Sequence, residues 1–309
     1  MACPIAQTLA ALPPRAALAV GSFDGLHLGH RAILREMTAF ANATGRPACV
    51  LTFGQLPLTL LDPAHAPGRI EDDAATLARL QEALADCEAL IIRQAFTPAF
   101  ATCTADAFHA QLRGATLFCG EDWRFGAGAS GTPEFLRARG LEVHVIPYAL
   151  WHGERISSTR IRAALARGAM DEVAAMLGRP WCFTGCVAHG RGLAGRSLGV
   201  PTLNLPYCGR AGERLTLPAR GVYRAHAQLS QAGQTHAAGR ALVNFGVAPT
   251  LKAEASPLFE AHLLDCSGDF YDLEATLSFA EPLLRPERTF PTLEALKAQI
   301  ALDLAAVRH

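Results

Sequence analysis

Short apolar runs alternate with amphipathic stretches along the first half of the chain. The runs are rich in alanine, valine, isoleucine and leucine, and such runs predict buried strands. Between them apolar residues such as Ile33, Leu34 and Met37 recur at helical spacing. This alternation is typical of βαβ units and a parallel sheet. We predict strands at Ala16–Val20, Ala48–Phe53, Ala89–Ile92, Thr116–Cys119 and Val143–Ile146, and helices at Arg31–Ala43, Ala74–Asp86 and Ala105–Leu112.

The second half consists of closely spaced apolar runs separated by turns rich in glycine and proline. No helix-length pattern interrupts them, so this half predicts an antiparallel barrel or sandwich. Apolar residues from Leu293 to Val307 then recur at helical spacing after Thr292, a plausible N-cap. We predict a terminal amphipathic helix packed on the barrel. The predicted strands are Trp181–Val187, Thr202–Leu205, Gly221–Gln228, Ala241–Phe245, Leu258–Leu264 and Leu273–Phe279.

A helical pattern separates the two halves. It runs from Thr159 to Leu177, with Gly168 interrupting it, and Gly178–Pro180 ends it as Gly followed by Pro usually does. We therefore predict a domain boundary here. The expected domains are residues 1–178 and residues 179–309.

Composition narrows the chemistry of both halves. The 309 residues carry a net charge of +0 at pH 7, whereas nucleic-acid binders usually show a basic face. Of the 28 basic residues only Lys252 and Lys297 are lysines. The chain therefore lacks the lysine patterns of a P-loop and of a protein kinase. Phosphate contacts must come from backbone N–H groups, histidine, arginine or a metal ion.

The cysteines indicate a reducing compartment. There are nine, without a Cys-x-x-Cys pair, and the closest two, Cys182 and Cys186, have no partner pair to complete a zinc site. We interpret them as reduced core residues. The sequence has no basic segment ahead of an apolar core and no apolar run of membrane-spanning length. We therefore expect a cytoplasmic protein without a membrane segment.

The residues from Gly21 to His30 form the first candidate site. They read Gly-Ser-Phe-Asp-Gly-Leu-His-Leu-Gly-His and lie between the first predicted strand and the first predicted helix. Turn glycines let backbone N–H groups approach an anion, and a helix N-terminus adds positive charge. His27 and His30 can donate to phosphate oxygens. On these residues alone, a glycine-rich turn with two solvated histidines remains an alternative.

Two further segments are expected at the same edge of the sheet, because ligands of such sheets bind beyond the carboxyl ends of the strands. Gly120–Gly126 follows the fourth predicted strand. Ile156–Arg162 carries the hydroxyl cluster Ser157–Thr159 at a helix start, followed by arginines. The cluster also fits an ordinary N-cap, which itself presents donors to phosphate.

A second glycine-rich stretch runs from Gly185 to Leu205. Thr202 and Asn204 lie two apart on a predicted strand, so both point to one face. Their hydroxyl and amide oxygens suit Mg²⁺ held jointly with ATP. An ordinary flexible hairpin is the alternative. The candidate phosphate ligands of this stretch are Gly190, Gly192, Gly199 and Arg196.

Together these segments resemble the bacterial bifunctional riboflavin kinase/FAD synthetases. The first loop matches the pattern Gly-x-Phe-Asp-Gly-x-His-x-Gly-His. Pro201–Asn204 is similar to the end of Gly-x-Pro-Thr-Ala-Asn, with Leu203 in place of alanine. Further matches follow in family order at Pro218–Tyr223, Val243–Thr250 and Phe259–Asp265. The resemblance covers nearly the whole chain.

The resemblance implies a fold and two activities. The first domain would be a nucleotidyltransferase-like, Rossmann-like α/β domain with a parallel sheet. The second would be an antiparallel β-barrel of the riboflavin kinase type with a terminal helix. The barrel would phosphorylate riboflavin to FMN with ATP and Mg²⁺, and the first domain would adenylylate FMN to FAD with release of pyrophosphate. Riboflavin, FMN and ATP are the expected partners, without nucleic acid or membrane, and the oligomeric state stays open.

The resemblance also implies catalytic roles for His27, His30 and Glu260. The histidines would contact the ATP phosphates. Riboflavin attacks through a neutral hydroxyl, so a carboxylate that accepts its proton is useful, and Glu260 would be that group. Glu260 lies in an apolar run, where a buried unpaired carboxylate is costly, and this favours a role in the site.

Binding roles follow from the same resemblance. Asp122 would contact nucleotide or flavin, Arg285 would lie near the flavin, and Thr202 and Asn204 would hold Mg²⁺. Phe23 belongs to the ATP loop but is more consistent with packing than with chemistry. The residues expected to hold ATP phosphates in the first domain are Gly21, Phe23, Gly25, Ser157, Ser158, Thr159 and Arg160.

The chain departs from the family in the loop after the second predicted strand. Phe53–Pro57 reads Phe-Gly-Gln-Leu-Pro instead of Phe-x-Pro-His-Pro, and the lysine usual in the next helix is absent from Glu71–Asp86. Near the expected flavin, Pro286 replaces a usual aspartate and Asp272 a usual glycine. Two alternatives therefore stay open: a riboflavin kinase with a weak or inactive adenylyltransferase domain, and a flavin- or nucleotide-binding sensor without turnover.

Overall fold

The computed structural model describes residues 3–188, 202–207, 214–247, 257–266 and 268–308. The chain divides into two compact units, Met1–Ser158 and Thr159–His309. Among the described residues, no helix is both long enough and apolar enough to cross a membrane.

The first unit is built on a six-stranded sheet in the order β1-β4-β3-β2-β5-β6. All five strand pairs are parallel, which confirms the predicted α/β class. The two-residue strand β1 was not predicted because it is too short to show a pattern. The strands are β1 (Ile5–Ala6), β2 (Ala17–Val20), β3 (Ala48–Phe53), β4 (Ala89–Gln94), β5 (Thr116–Gly120) and β6 (Val143–Ile146). A separate antiparallel pair, β7 (Leu150–Trp151) and β8 (Glu154–Arg155), follows them in the chain.

Helices cover both faces of this sheet. Along β2, Leu18 and Val20 belong to one hydrophobic cluster, whereas Ala17 and Ala19 belong to another. Side chains alternate along a strand, so the two clusters lie on opposite faces. The helices are α1 (Leu28–Thr44), α2 (Pro57–Leu61), α3 (Asp73–Ala83), α4 (Pro98–Ala101), α5 (Ala105–Gln111) and α6 (Pro133–Arg137).

The strand order reverses between β2 and β5. From β2 the chain proceeds through β3 and β4 on one side, and β5 and β6 lie on the other. Ligands of open parallel sheets bind at the carboxyl ends of the strands beside such a switch point. The loops that follow β2 and β5 are Gly21–His30 and Gly120–Gly126, so the fold places both candidate segments there.

Two helices, not one, follow the first unit. The predicted helix from Thr159 to Leu177 is divided into α7 (Ser158–Arg167) and α8 (Met170–Leu177). Gly168 separates them with a φ of +73°. Both helices lie in or border the second unit, so its packing begins ahead of the boundary predicted after residue 178.

The second unit is an antiparallel sheet in the order β10-β13-β12-β11-β14-β9. A bridge between Ala188 and Asn204 joins its two edges, and β15 pairs with β11. This confirms the predicted antiparallel barrel. The strands are β9 (Trp181–Cys186), β10 (Leu203–Pro206), β11 (Gly221–Gln231), β12 (Gln234–Val247), β13 (Pro257–Leu263), β14 (Glu274–Phe279) and β15 (Arg285–Pro286).

The terminal helix α9 (Leu293–Arg308) packs on the barrel as predicted. Thr292 Oγ1 accepts the N–H of Ala295 at 3.1 Å, which confirms the predicted N-cap. Val307 joins a buried cluster with Val222 and Leu242. This cluster anchors the end of the helix.

Gly168 gives a stability prediction. Its positive φ is strained for any other residue, and a Cβ there would lie 2.9 Å from Tyr223 Oη and 3.2 Å from Leu283 Cβ. Gly233 has a similar φ of +81° with nothing within 4 Å of a Cβ. We expect Gly233→Ala to cost about 1 kcal/mol through strain alone. Gly168→Ala should cost about 1–3 kcal/mol more through overpacking.

Urea unfolding of both variants, followed by tryptophan fluorescence, measures how much each substitution lowers the free energy of unfolding. A shift in midpoint that is equal for both would contradict the crowding at Gly168 and leave only the backbone strain.

Candidate active sites

The segment Gly21–His30 joins β2 to α1, and we call it the phosphate loop after its predicted role. Its backbone has a conformation that few sequences could adopt. Phe23 has a φ of +50° and its side chain is fully buried. Gly25 has a φ of +75°, and a Cβ there would lie 2.9 Å from the Ile70 side chain. Glycine is therefore required at position 25. The Phe23 ring packs against His30 with centroids 5.2 Å apart, so Phe23 supports the loop through packing.

The two histidines stand together at the start of α1. Their rings stack with centroids 3.6 Å apart, and His27 Nδ1 accepts the backbone N–H of His30 at 3.3 Å as the N-cap of the helix. An accepting Nδ1 places the ring proton on Nε2. His27 is 6 % exposed, so its Nε2–H is a preoriented donor beside a helix N-terminus, where anions bind.

The side chain and backbone of Asp24 hold this loop in its conformation through hydrogen bonds. Its carboxylate is 1 % exposed and accepts the Ile70 N–H at 3.0 and 3.1 Å. Its backbone carbonyl accepts from Ser158 Oγ at 3.4 Å. The hydroxyl cluster is thereby joined to the phosphate loop, and Thr159 and Arg160 follow Ser158 in the first turn of α7.

The segment after β5 contacts an arginine directly before the third segment, which sequence reasoning missed. Arg155 Nη1 lies 3.4 Å from Asp122 Oδ2 and 3.3 Å from Tyr148 Oη. Asp122 is largely exposed. The signal in the sequence was the position of Arg155 two residues before Ser157. Within the first unit, the structure thus joins Asp24 of the first predicted segment to Ser158 of the third, and Asp122 of the second to the residue that precedes the third.

An apolar cavity of about 280 Å³ opens beside the phosphate loop. Its lining includes Val20 and Gly21 at one end and the segment Trp123–Gly126 at another. The only charged side chain in this lining is Arg124. Sequence reasoning missed the cavity, because its aromatic residues come from separate segments. These residues are Phe53, Phe96, Phe100, Phe108, Trp123 and Phe125.

In the second unit, Glu260 lies between two asparagines. It pairs in register with Asn204 of β10 and with Asn244 of β12. Asn244 Nδ2 donates to Glu260 Oε2 at 3.3 Å. The argument from burial was wrong: Glu260 is half-buried on the outer face, whereas its neighbours Phe259 and Ala261 are fully buried in the core. Alternation along β13 explains how a carboxylate stands within an apolar run.

Thr202 and Asn204 stand beside this carboxylate. Both are half-buried, Leu203 between them is buried, and their side chains have no hydrogen-bond partner among the described residues. Thr202 also lines a small pocket of about 90 Å³ with Phe270 and Tyr271. A hydroxyl, an amide oxygen and a nearby carboxylate are the hard ligands that Mg²⁺ prefers. The residues present therefore fit the ion. The predicted phosphate ligands Gly190, Gly192, Arg196 and Gly199 lie outside the described residues.

Arg285 is engaged elsewhere in the second unit. Its Nη2 lies 2.7 Å from Asp303 Oδ2, its Nε bonds the same carboxylate, and its Nη1 donates to the Pro286 carbonyl at 3.2 Å. Asp303 is 3 % exposed in α9. In this arrangement Arg285 holds the terminal helix, and its contact with flavin stays a prediction.

Known families match both halves of the chain. A model of the FAD synthetase family matches residues 10–160, and a model of the riboflavin kinase family matches residues 177–309. A crystal structure of a protein from Streptococcus pneumoniae, described as a macrolide-efflux protein, superposes with a TM-score of 0.85 at 28 % identity. That likeness covers 100 % of this chain and 99 % of the other.

Characterised relatives match over almost their whole length. The bifunctional riboflavin kinase/FMN adenylyltransferase of Pseudomonas fluorescens is 35 % identical over 300 residues, covering 94 % of this chain and 91 % of the relative. The enzyme of the same description from Escherichia coli K12 is 34 % identical over 305 residues, with the same coverage. With two histidines on a phosphate loop in one unit and a carboxylate between asparagines in the other, the chain belongs to the family of bifunctional riboflavin kinase/FMN adenylyltransferases.

Proposed function

We propose that the two reactions of this bifunctional enzyme are divided between residues 1–178, which carry adenylyl transfer, and residues 179–309, which carry phosphorylation. The enzyme phosphorylates riboflavin to FMN and adenylylates FMN to FAD with release of pyrophosphate. The observation that carries the first assignment is that the apolar cavity meets the phosphate loop at Gly21. A flavin ring in the cavity would then bring its phosphate chain towards the ATP phosphates.

Adenylyl transfer needs positioned donors more than a base. The FMN phosphate is largely ionised at neutral pH, since its second pKa is about 6. The barrier is the approach of two anions and the charge of the pentacoordinate phosphorus, which preoriented donors stabilise. The His27 Nε2–H, His30 and the backbone N–H groups of Leu28 and Gly29 would supply such donors at the start of α1, where the His30 N–H caps onto His27. Gly21, Gly25 and the Ser157–Arg160 segment would complete the ATP site.

The apolar cavity suits the isoalloxazine ring. Its aromatic lining includes Phe53 and Phe96, which contact each other edge to face with centroids 5.4 Å apart. Aromatic walls of this kind bind a flat heteroaromatic ring through burial and stacking. Asp122 and Arg155, linked through their side chains after β5, would border the nucleotide.

Phosphorylation of riboflavin needs a base because the attacking hydroxyl is neutral. Glu260 would accept its proton, and Asn244, whose Nδ2 donates to the carboxylate at 3.3 Å, would orient it. Thr202 and Asn204 would hold Mg²⁺, which neutralises phosphate charge when bound. Glu260 would take the hydroxyl proton as the γ-phosphoryl group moves to the flavin oxygen and ADP leaves.

We also propose that the enzyme works in the cytoplasm. The cysteines that the structure describes form no disulfide. Burial raises the pKa of the Cys49 and Cys119 thiols to about 12, so both stay protonated core residues. A reducing compartment suits such a chain.

Substitution of His27 separates its chemistry from its capping role. Both His27→Ala and His27→Asn remove the imidazole donor, but asparagine keeps an N-cap acceptor. We expect adenylyl transfer to fall about 100-fold or more in both, because a preoriented donor to phosphate is lost. Only His27→Ala should lower the thermal midpoint. FAD formation from supplied FMN measures the first effect, and full activity in His27→Asn would contradict the proposed role.

Truncation of Phe96 tests the cavity. We expect Phe96→Ala to raise the KM for FMN in adenylyl transfer roughly 10-fold, because stacking and apolar contact with the ring are lost. Phe40→Ala is the matched control, since Phe40 packs against Phe118 on the opposite face of the sheet. An equal rise of the KM in both variants would argue against a flavin in the cavity.

Substitution of Glu260 tests the kinase site. Glu260→Gln keeps the shape and a partner for Asn244 but cannot accept the proton. We expect the rate of FMN formation from riboflavin to fall about 100-fold or more, with FAD formation from supplied FMN unchanged as an internal control of folding. Riboflavin phosphorylation within a few-fold of the unsubstituted enzyme would rule Glu260 out as the base.

A further inference from the structure

The loop after β3 lacks residues that are usual in the family. The side chain of an arginine from β4 packs against this loop. Arg93 lies near the end of β4 and pairs in register with Thr52 of β3. Its guanidinium packs directly on Gly54, so that a Cβ at position 54 would overlap it. Glycine at position 54 and arginine at position 93 therefore depend on each other.

A buried charge network holds Arg93 in this position. Its Nη2 and Nε lie 2.6 and 2.7 Å from Asp73 Oδ2 at the start of α3. Arg69, only 4 % exposed, lies 4.0 Å from both Asp73 and Asp24. Its Nη1 also donates to the Gly54 carbonyl at 3.3 Å. One network thus links the phosphate loop, through Asp24, to the loop after β3.

One edge of the Arg93 guanidinium is available to a ligand. Asp73 engages Nε and Nη2, whereas Nη1 has no partner among the described residues. The side chain is 30 % exposed. A guanidinium whose second edge is free is suited to bind phosphate through charge-assisted hydrogen bonds.

The open edge of Arg93 lies at the same edge and on the same face of the sheet as the start of α1. Arg93 follows Ile91 by two residues, so it belongs to the face of the sheet on which α1 packs. The N-terminus of α1, which packs on this same face, carries the two histidines. Arg93 lies near the carboxyl end of its strand, β4. Substrates bind at that edge.

We propose that Arg93 binds the phosphate monoester of FMN during adenylyl transfer, in a space that Gly54 keeps open. The inference rests on the proposed adenylyl-transfer site. It makes Arg93 a specificity residue that distinguishes a flavin with a phosphate from one without. Its guanidinium, packed on Gly54, supplies positive charge beside the loop after β3. The residue acts through binding and takes no part in proton transfer.

Steady-state kinetics of Arg93→Ala and Arg93→Lys test the proposal. We expect Arg93→Ala to raise the KM for FMN about 10- to 100-fold, the loss typical of a hydrogen bond to a charged group. Lysine should restore part of the affinity because it keeps the charge. The KM for ATP and riboflavin phosphorylation should stay unchanged in both. Arg46→Ala is the matched control, since Arg46 is 25 % exposed and bonds Thr116 and Glu142 at the opposite edge of the sheet.

A double-mutant cycle tests the dependence on Gly54. Gly54→Ala should raise the KM for FMN in the presence of Arg93, because its Cβ displaces the guanidinium. In the Arg93→Ala background the same change should add little. Additive effects would refute the coupling.

Two outcomes would overturn the proposal: an unchanged KM for FMN in Arg93→Ala, or equal rises in the KM for FMN and for ATP. The second would show that Arg93 only supports the fold. His27→Asn separates this failure from that of the proposed function. If His27→Asn retains adenylyl transfer, the site itself is wrong; if it loses adenylyl transfer while Arg93→Ala keeps its KM, only the role of Arg93 is wrong.

Discussion

The buried carboxylate of Asp24 is the constraint on which the proposed adenylyl-transfer site depends. A carboxylate that is 1 % exposed is costly unless hydrogen bonds and positive charge offset its desolvation. The Ile70 N–H supplies the bonds and Arg69 the charge. These contacts hold the loop in a conformation that includes positive φ at Phe23 and Leu26, which isolated loops rarely adopt. The histidines at the start of α1 are preoriented as a result.

Much of the fold could be predicted because each element carries its own pattern of burial. The five predicted strands of the first sheet are all present, and β3 and β6 have the predicted bounds. Strands were harder to predict where their side chains are exposed to solvent. The first half of β12, Gln234–Arg240, is largely exposed, and its strand structure comes from pairing with β11. The break at Gly168 was visible, but the two separate helices follow from packing around Tyr223.

The candidate sites also contain parts that the sequence predicts and parts that it does not. The phosphate loop was predictable because its groups are contiguous in the chain, whereas the cavity depends on aromatic residues that only the strand order brings together. Glu260 was identified through resemblance, yet the physical argument for it failed. Its apolar neighbours face the core, while the carboxylate faces outward between Asn204 and Asn244. The signal that the burial argument overlooked is that Glu260 and His262 alternate with residues buried in the core.

The two sites differ because their nucleophiles differ. An ionised phosphate needs no base, and in the first unit the described carboxylate nearest the reacting loop, Asp24, is committed to backbone and arginine contacts. A neutral hydroxyl needs a proton acceptor, and among the described residues the Glu260 side chain bonds only to Asn244. Its half-exposed position also lets water reach it, so an ionised carboxylate is tolerated there as it would not be in the core. The burial of each carboxylate therefore agrees with the chemistry proposed for its unit.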